Sequence, residues 1–355
     1  MVTFRIFALG LVLFISASAG FSATEGAEED HGTSDKKEFN ASEFILGHIA
    51  DSHEWHILTT PSGHHVSVYL PVILYSKKSG FHLFSSRRLA HGHHHEGFHI
   101  PAEGEPLAGR IIESGHADIE GTEYLPLDFS VTKNVAAMMV AAVLGLFLFL
   151  SLARSYRKSG ISEPRGMQSW LEPIIIFVRE DIVIPFIGEH KADRYLPYLL
   201  TIFFFILINN LLGMIPFFPF GANVTGNIAV TLVLAAITFI ITQFSGNKSY
   251  WRHIFATPGV PFWLLPVMIV VELIGAISKP FALMVRLFAN ITAGHIIILS
   301  LISLIFIFKT LWVVPASAIF VIFMDFLELL VAFLQAYVFT LLSSLFIGLA
   351  VEEHH

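Results

Sequence analysis

The chain contains no cysteine, so disulfides, thiolate nucleophiles and cysteine-ligated zinc are excluded. Charge is scarce as well, at 14% of residues. No Gly-x-x-x-x-Gly-Lys-Ser/Thr loop occurs, so the chain has no phosphate cradle of that kind and no ATP site of its own is expected. No repeat of solenoid length is visible. The net charge of −7 is concentrated in polar segments, and no nucleic-acid partner is expected.

What fills the chain instead is apolar. A hydrophobic fraction of 54% and 34 phenylalanines place it among membrane proteins, and the mean hydropathy of +0.69 agrees. The first 23 residues read as a secretory signal: Arg5, an apolar core from Ile6 to Ile15 too short to span a bilayer, then Ser16-Ala17-Ser18-Ala19 for cleavage. Residues 24–133 are polar and are read as an exported, periplasmic region. It opens on an acidic disordered lead that runs to about Lys37. Val66 to Tyr75 is strand-like with Pro71 marking an edge or bulge, and Lys77 to Gly80 is a turn before Phe81 to Phe84. A small, partly β module is expected.

Thirteen of the 18 histidines precede Ala117. His91, His93, His94 and His95 are the densest cluster and the weak candidates for a metal. No ligand spacing supports a defined site, so a solvated, pH-responsive loop is the expectation and no metal or other cofactor is assigned. Asp51, His53, Glu54 and His56 suit metal ligation or a packing contact equally.

Residues 134–355 are expected to form an all-α, polytopic membrane domain of about five helices. Asn134 to Leu152 is an uncharged span, followed at once by Arg154, Arg157, Lys158 and Arg165, which puts that end in the cytoplasm. Gly166 to Gly188, with Pro173 and Pro185, reads as an interrupted amphipathic segment at the interface. Tyr195 to Ile215 crosses outward and Thr225 to Phe244 returns, with Lys248, Arg252 and His253 beyond it. Asn209 and Asn210 lie deep in this hairpin, where asparagine either ties helices together or lines a water path; lining is slightly favoured. Phe262 to Phe308 and Leu311 to Ala350 are too long for one upright crossing. At ~1.5 Å per residue they measure roughly 70 and 60 Å against a hydrocarbon core of ~30 Å. Hydropathy alone does not choose between two breaks and two long, steeply tilted helices.

Inside the first long run stands Arg286, 24 residues from Phe262 and 22 from Phe308. It is too deep to anchor a helix end, so it faces protein or water and is a functional candidate. Glu272, Lys279 and Arg286 are seven apart and share one helical face, to which Asn290 adds. His295, nine residues on, points the opposite way. On the next helix Glu328 and Gln335 share a face, with Asp325 one turn before Glu328. His295 and Glu328 lie about equally far, in opposite directions, from the connection near Leu311, so an antiparallel hairpin brings them level.

Ser278-Lys279-Pro280, Arg286-Leu287-Phe288 with Asn290, and Ala293-Gly294 before a titratable residue resemble subunit a of the rotary F-type ATP synthase. The likeness extends to Ile208-Asn209-Asn210, to Leu334-Gln335-Ala336-Tyr337, and to the Glu352-Glu353-His354-His355 tail. It implies the stator half of a proton path, joined to a c-ring, a subunit b peripheral stalk, other ATP synthase subunits and membrane lipid. It implies two long, near-horizontal helices joined near Trp312 to Pro315. By this resemblance Arg286 faces the ring carboxylates and Gln335 supports it. Glu272 belongs to the cytoplasmic half-channel, His295 and Glu328 to the periplasmic one. In the bacterial pattern most often met the carboxylate comes first and the histidine second; here the order is reversed. The exported N-terminal region is an extension found in some bacterial members, and the localisation implied is the inner membrane. Two other readings stand beside this one: a secondary ion transporter, for which an inverted repeat is wanted and no second copy of the Arg286 stretch is seen, and a membrane-anchored periplasmic metal-binding protein, which leaves Arg286, Glu272 and Glu328 unexplained.

Overall fold

A computed structural model describes residues 41–59, 65–101, 107, 109–114, 125–159, 166–215, 218–256, 260–308, 310 and 312–352. The expected signal segment and acidic lead, the last three residues and the His91 side chain lie outside that set. The chain divides into two compact units. One is built from residues 53–130; the other joins 40–52 to 131–355.

The first unit holds short strands: β1 (Glu54–Thr59), β2 (His65–Tyr69), β3 (Pro71–Ser76), β4 (Gly80–Ser85), β5 (Phe98–His99), β6 (Ile112–Glu113) and β7 (Leu127–Asp128). β1 pairs with β2, β5 with β6, and β3 is the centre of a β4-β3-β7 sheet, all antiparallel. The single strand expected over Val66 to Tyr75 is therefore two strands in different sheets. The physical reason is Pro71: it has no N–H for a ladder and so begins β3 instead of continuing β2. Along β3 the buried Val72, Leu74 and Ser76 alternate with less buried residues, the period of a strand with one face inward. Val72 and Leu74 pack with Phe84, Leu89, Phe98 and Ile111 in this unit's core. The carboxylate of Glu113 is buried in this unit; it accepts from the hydroxyl of Ser76 and, at 2.9 Å, from that of Ser79. Those bonds are what make its burial tolerable.

The second unit is helical. Its elements are α1 (Ala41–Ile49), α2 (Lys133–Ser159), α3 (Gln168–Phe177), a π-helical turn (Val178–Val183), α4 (Ile184–Ile187), α5 (Glu189–Gly213), α6 (Ile228–Ser245), α7 (Lys248–Phe255), α8 (Leu265–Phe308) and α9 (Val313–Val351). Five of the helices in the described residues are long and apolar enough to cross a membrane. The start of α2 is tied to the end of α1. Asp51 accepts from the Asn134 amide at 3.0 Å and the Thr132 hydroxyl at 2.8 Å, and Lys133 Nζ donates to the Ala50 carbonyl.

The interrupted segment expected between Gly166 and Gly188 is α3, the π turn and α4. The two very long apolar runs are each one continuous helix, 44 and 39 residues, or ~66 and ~58 Å. Pro280 sits inside α8 without breaking it. Ser278 donates to the Gly275 carbonyl at 3.0 Å, beside the carbonyl whose hydrogen bond a proline at 280 cannot make. The core of this unit joins α5, the π turn, the middle of α8 (Leu283, Met284, Leu287, Ile291) and the second half of α9 (Ala336, Phe339, Ile347). The first halves of α8 and α9 expose Val270, Ile274, Ile277, Phe320, Phe323 and Phe326, the surface of a protein whose solvent there is lipid or an apolar partner.

Candidate functional site

Helical phase decides what each side of α8 can do. Leu283, Leu287 and Ile291, four apart, are buried against the bundle. Lys279, Arg286 and Asn290 fall on the exposed side. Among the described residues no carboxylate is paired with Arg286, so its guanidinium is presented outward from the middle of an apolar helix. Lys279 lies over the Phe346 ring at 5.7 Å, a cation–π contact that shelters its charge.

His295 turns the other way, towards α9. Its Nδ1 is 2.6 Å from Glu328 Oε1, with the histidine side chain 18% and the glutamate side chain 6% exposed. The two atoms are this close without the alignment of a hydrogen bond. Asp325, one turn earlier on α9, lies within electrostatic range of both. Three titratable groups therefore share one layer between the long helices, with Glu328 buried and His295 and Asp325 partly so. Gly294 makes the close approach feasible: a Cβ there would stand 3.2 Å from Glu328 Oε1. Gln335 is buried two turns further along α9.

The α5–α6 hairpin closes this layer. Asn210, 4% exposed, donates to the Ala332 carbonyl at 3.3 Å and accepts from Thr225 at 2.6 Å. Ala332 is one turn from Glu328, so the hairpin tip stands next to the His295–Glu328 contact. Thr292 of α8 reaches the Gly226 carbonyl at 3.5 Å from the other side. Asn209 donates to Phe205 within its own helix at 2.8 Å. The Asn210 bonds join the hairpin to α9, whereas the Asn209 bond lies within α5.

Near the start of α8, Glu272 is partly exposed and lies 3.9 Å from His253 of α7. That partner is not evident from sequence, because His253 belongs to a separate short helix. A small cavity of about 10 Å³, room for one water, lies between α6, α7, α8 and α9. Thr238, Thr242, Gln243, Tyr250 and Lys279 are among its lining residues.

The histidines of the first unit are used differently. His53 pairs with Asp128 at 3.0 Å and His82 with Glu96 at 2.7 Å. His95 meets Arg88 at 2.8 Å, and His94 stacks on His99 with ring centroids 4.4 Å apart. His93 is exposed. Among the described residues no three histidines, aspartates or glutamates converge as a metal would need. The His82 hydrogen bond draws Glu96 below the usual glutamate range. Burial pushes Asp128 up, but hydrogen bonds from His53 and Ser130 outweigh it and leave the carboxyl below its ordinary value.

Residues 135–348 match the family model described as the ATP synthase A chain. Residues 44–129 match a second model, described only as a domain of unknown function. The chain is 44% identical over 260 residues to ATP synthase subunit a of Chloroherpeton thalassium, covering 69% of this chain and 76% of that protein. It is 47% identical over 246 residues to ATP synthase subunit a 2 of Chlorobaculum tepidum, covering 67% and 68%. With subunit a of Myxococcus xanthus it shares 43% identity over 264 residues, covering 73% and 84%. An outward-facing arginine, a buried imidazole–carboxylate contact and five membrane-length helices thus occur in a chain that belongs to the ATP synthase A chain family.

Proposed function

We propose that this multi-pass membrane protein is the stator half of the membrane proton path of an ATP synthase, passing protons through two half-channels against a turning c-ring. The observation that carries the reading is the division of labour on α8. Arg286 faces out from an apolar helix, while His295, nine residues on, faces in to Glu328.

A proton arriving through one half-channel neutralises a carboxylate of the ring, which then travels through lipid as a neutral group. After most of a turn that carboxylate meets Arg286, whose fixed charge favours the ionised form and so releases the proton to the other half-channel. The same cation repels a proton that would leak directly between the half-channels. Each charge moved across the membrane supplies ~2.3 kcal/mol per 100 mV. His295, Glu328 and Asp325 form the relay of the periplasmic half-channel, closed at its side by Asn209 and Asn210. Glu272 serves the cytoplasmic half-channel together with His253, and Gln335 supports the arginine from α9. The basic residues after α2 and in α7 support a cytoplasmic position for those ends, a periplasmic N-terminal region and insertion in a bacterial inner membrane.

Partners follow from the mechanism: the c-ring against the exposed face of α8 and α9, and a peripheral stalk that includes subunit b to stop the chain from turning. The test is purification of the tagged chain from mild detergent. A stoichiometric ring of small hairpin subunits together with an ATP-hydrolysing head is expected. Purification of the chain alone, still folded and conducting protons, would contradict the reading.

A further inference from the structure

The far end of α9 is held in an unusual way. A helix leaves its last four carbonyls without intrahelical partners, and at a membrane surface water normally takes them. Here protein groups do so. Asn247 N–H donates to the Ala350 carbonyl at 3.0 Å, and Lys191 Nζ donates to the Val351 carbonyl at 2.9 Å. Asn247 Nδ2 donates to the Glu352 carbonyl at 2.7 Å. The same asparagine starts α7, its Oδ1 accepting from the Tyr250 amide at 3.0 Å and its carbonyl from the Trp251 amide at 3.2 Å. One side chain thus caps two helices at once. Lys191 lies in the first turn of α5, where the helix dipole disfavours a cation, yet it reaches the C-terminus of α9, where the dipole favours one.

A second set of contacts locks the neighbouring face. Ser344 donates to the Ile182 carbonyl at 2.9 Å, a group in the π turn. One turn on, a Cβ at Gly348 would stand 2.1 Å from the Phe186 carbonyl oxygen. The pairs 344 with 182 and 348 with 186 keep the same four-residue step. The rest of this buried face mixes small residues, Ala332, Ala336, Thr340 and Ser343, with the larger Phe339 and Ile347.

We propose that Asn247 and Lys191 are positioning residues that fix the axial register of α9, and with it the level of Gln335 and Glu328 against Arg286 and His295. A helix transmits displacement along its axis. From Val351 to Gln335 is 16 residues, ~24 Å at the helical rise. A one-residue slip at the end would move Gln335 by ~1.5 Å and turn it by ~100°. The proposal rests on the reading of those four residues as the proton-handling groups.

The test uses the whole enzyme in inverted vesicles, with Asn247→Ala, Asn247→Asp, Lys191→Met and Lys191→Arg. Asn247→Asp keeps the acceptor that starts α7 and loses the donor to α9; Lys191→Arg keeps a donor. Assembled enzyme, ATP hydrolysis and ATP-driven proton pumping are measured together. Asn247→Ala, Asn247→Asp and Lys191→Met are expected to assemble and hydrolyse ATP, with protons pumped per ATP reduced ~10-fold by misplacement at the reacting layer. Lys191→Arg should recover most of that ratio. A loss that merely tracks the amount of assembled enzyme, failure of the first three to assemble, or an unchanged ratio would overturn the proposal. Arg286→Ala in the same vesicles separates the two ideas. If Arg286→Ala cannot pump while the clamp variants pump normally, only the clamp fails. If Arg286→Ala pumps normally, the proton-path reading itself fails.

Discussion

At His295 an imidazole faces a carboxylate across two consecutive helices, and each would be costly in that apolar layer without the other. This contact was legible from spacing, because both residues lie about equally far from the turn between α8 and α9. The contribution of Asp325 to the same layer was less so, since its face had to be chosen among helical neighbours. Gly294 was invisible as a spacer until the Glu328 carboxylate was seen against it. His295→Glu alone should place two acids side by side and impair proton pumping in inverted vesicles. The exchange His295→Glu with Glu328→His should recover part of the loss, and strictly additive losses would show two independent residues. Gly294→Ala must displace the end of the Glu328 side chain by a few tenths of an ångström. It should lower the pumping rate with little change in assembled enzyme, whereas a normal rate would mean that the carboxylate tolerates the shift.

Elements differ in how much of them the chain declares. The apolar runs announce α2, α5 and α6 directly, but length alone left the two last runs undecided between one helix and two. Pro280 is the sort of residue that suggests a break. Yet α8 runs through it unbroken, which hydropathy does not announce. The reverse holds at Pro71, where one apparent strand is two. Gly348 carries the sharpest prediction at this scale. An added Cβ would overlap a backbone oxygen, which cannot swing aside as a side chain can. Gly348→Ala should separate α9 from α4 at a cost of roughly 1–3 kcal/mol, as overpacking does. Quantitative blotting of the membrane complex should therefore show reduced assembly, while Leu349→Ala, at an exposed neighbour, should not.

For the whole molecule, two units with separate cores imply separable stabilities. In the first unit the His53–Asp128 contact should make stability pH-dependent. The Asp128 carboxyl is held below its ordinary value of 3.8, so its contribution is complete above that value and is lost as the pH falls through the lower, folded value. Hydrogen-exchange protection factors of the β3 and β7 amides in the intact protein, corrected for the intrinsic rate at each pH, should fall on acidification below about pH 4. Asp128→Asn should remove that part of the dependence. In the second unit the proton path is concentrated on α8 and α9, and excision of residues 66–116 is proposed to affect assembly or stability more than conduction. A fully assembled enzyme lacking them that holds a membrane potential but conducts no protons would show the reverse. The central claim is narrower and falls on one side chain. In vesicles carrying the assembled enzyme, Arg286→Ala should abolish proton-driven ATP synthesis, and Arg286→Lys should nearly do so, because an ammonium lacks the planar fork and can give up its proton. ATP synthesis at the normal rate with Arg286→Ala would contradict the account.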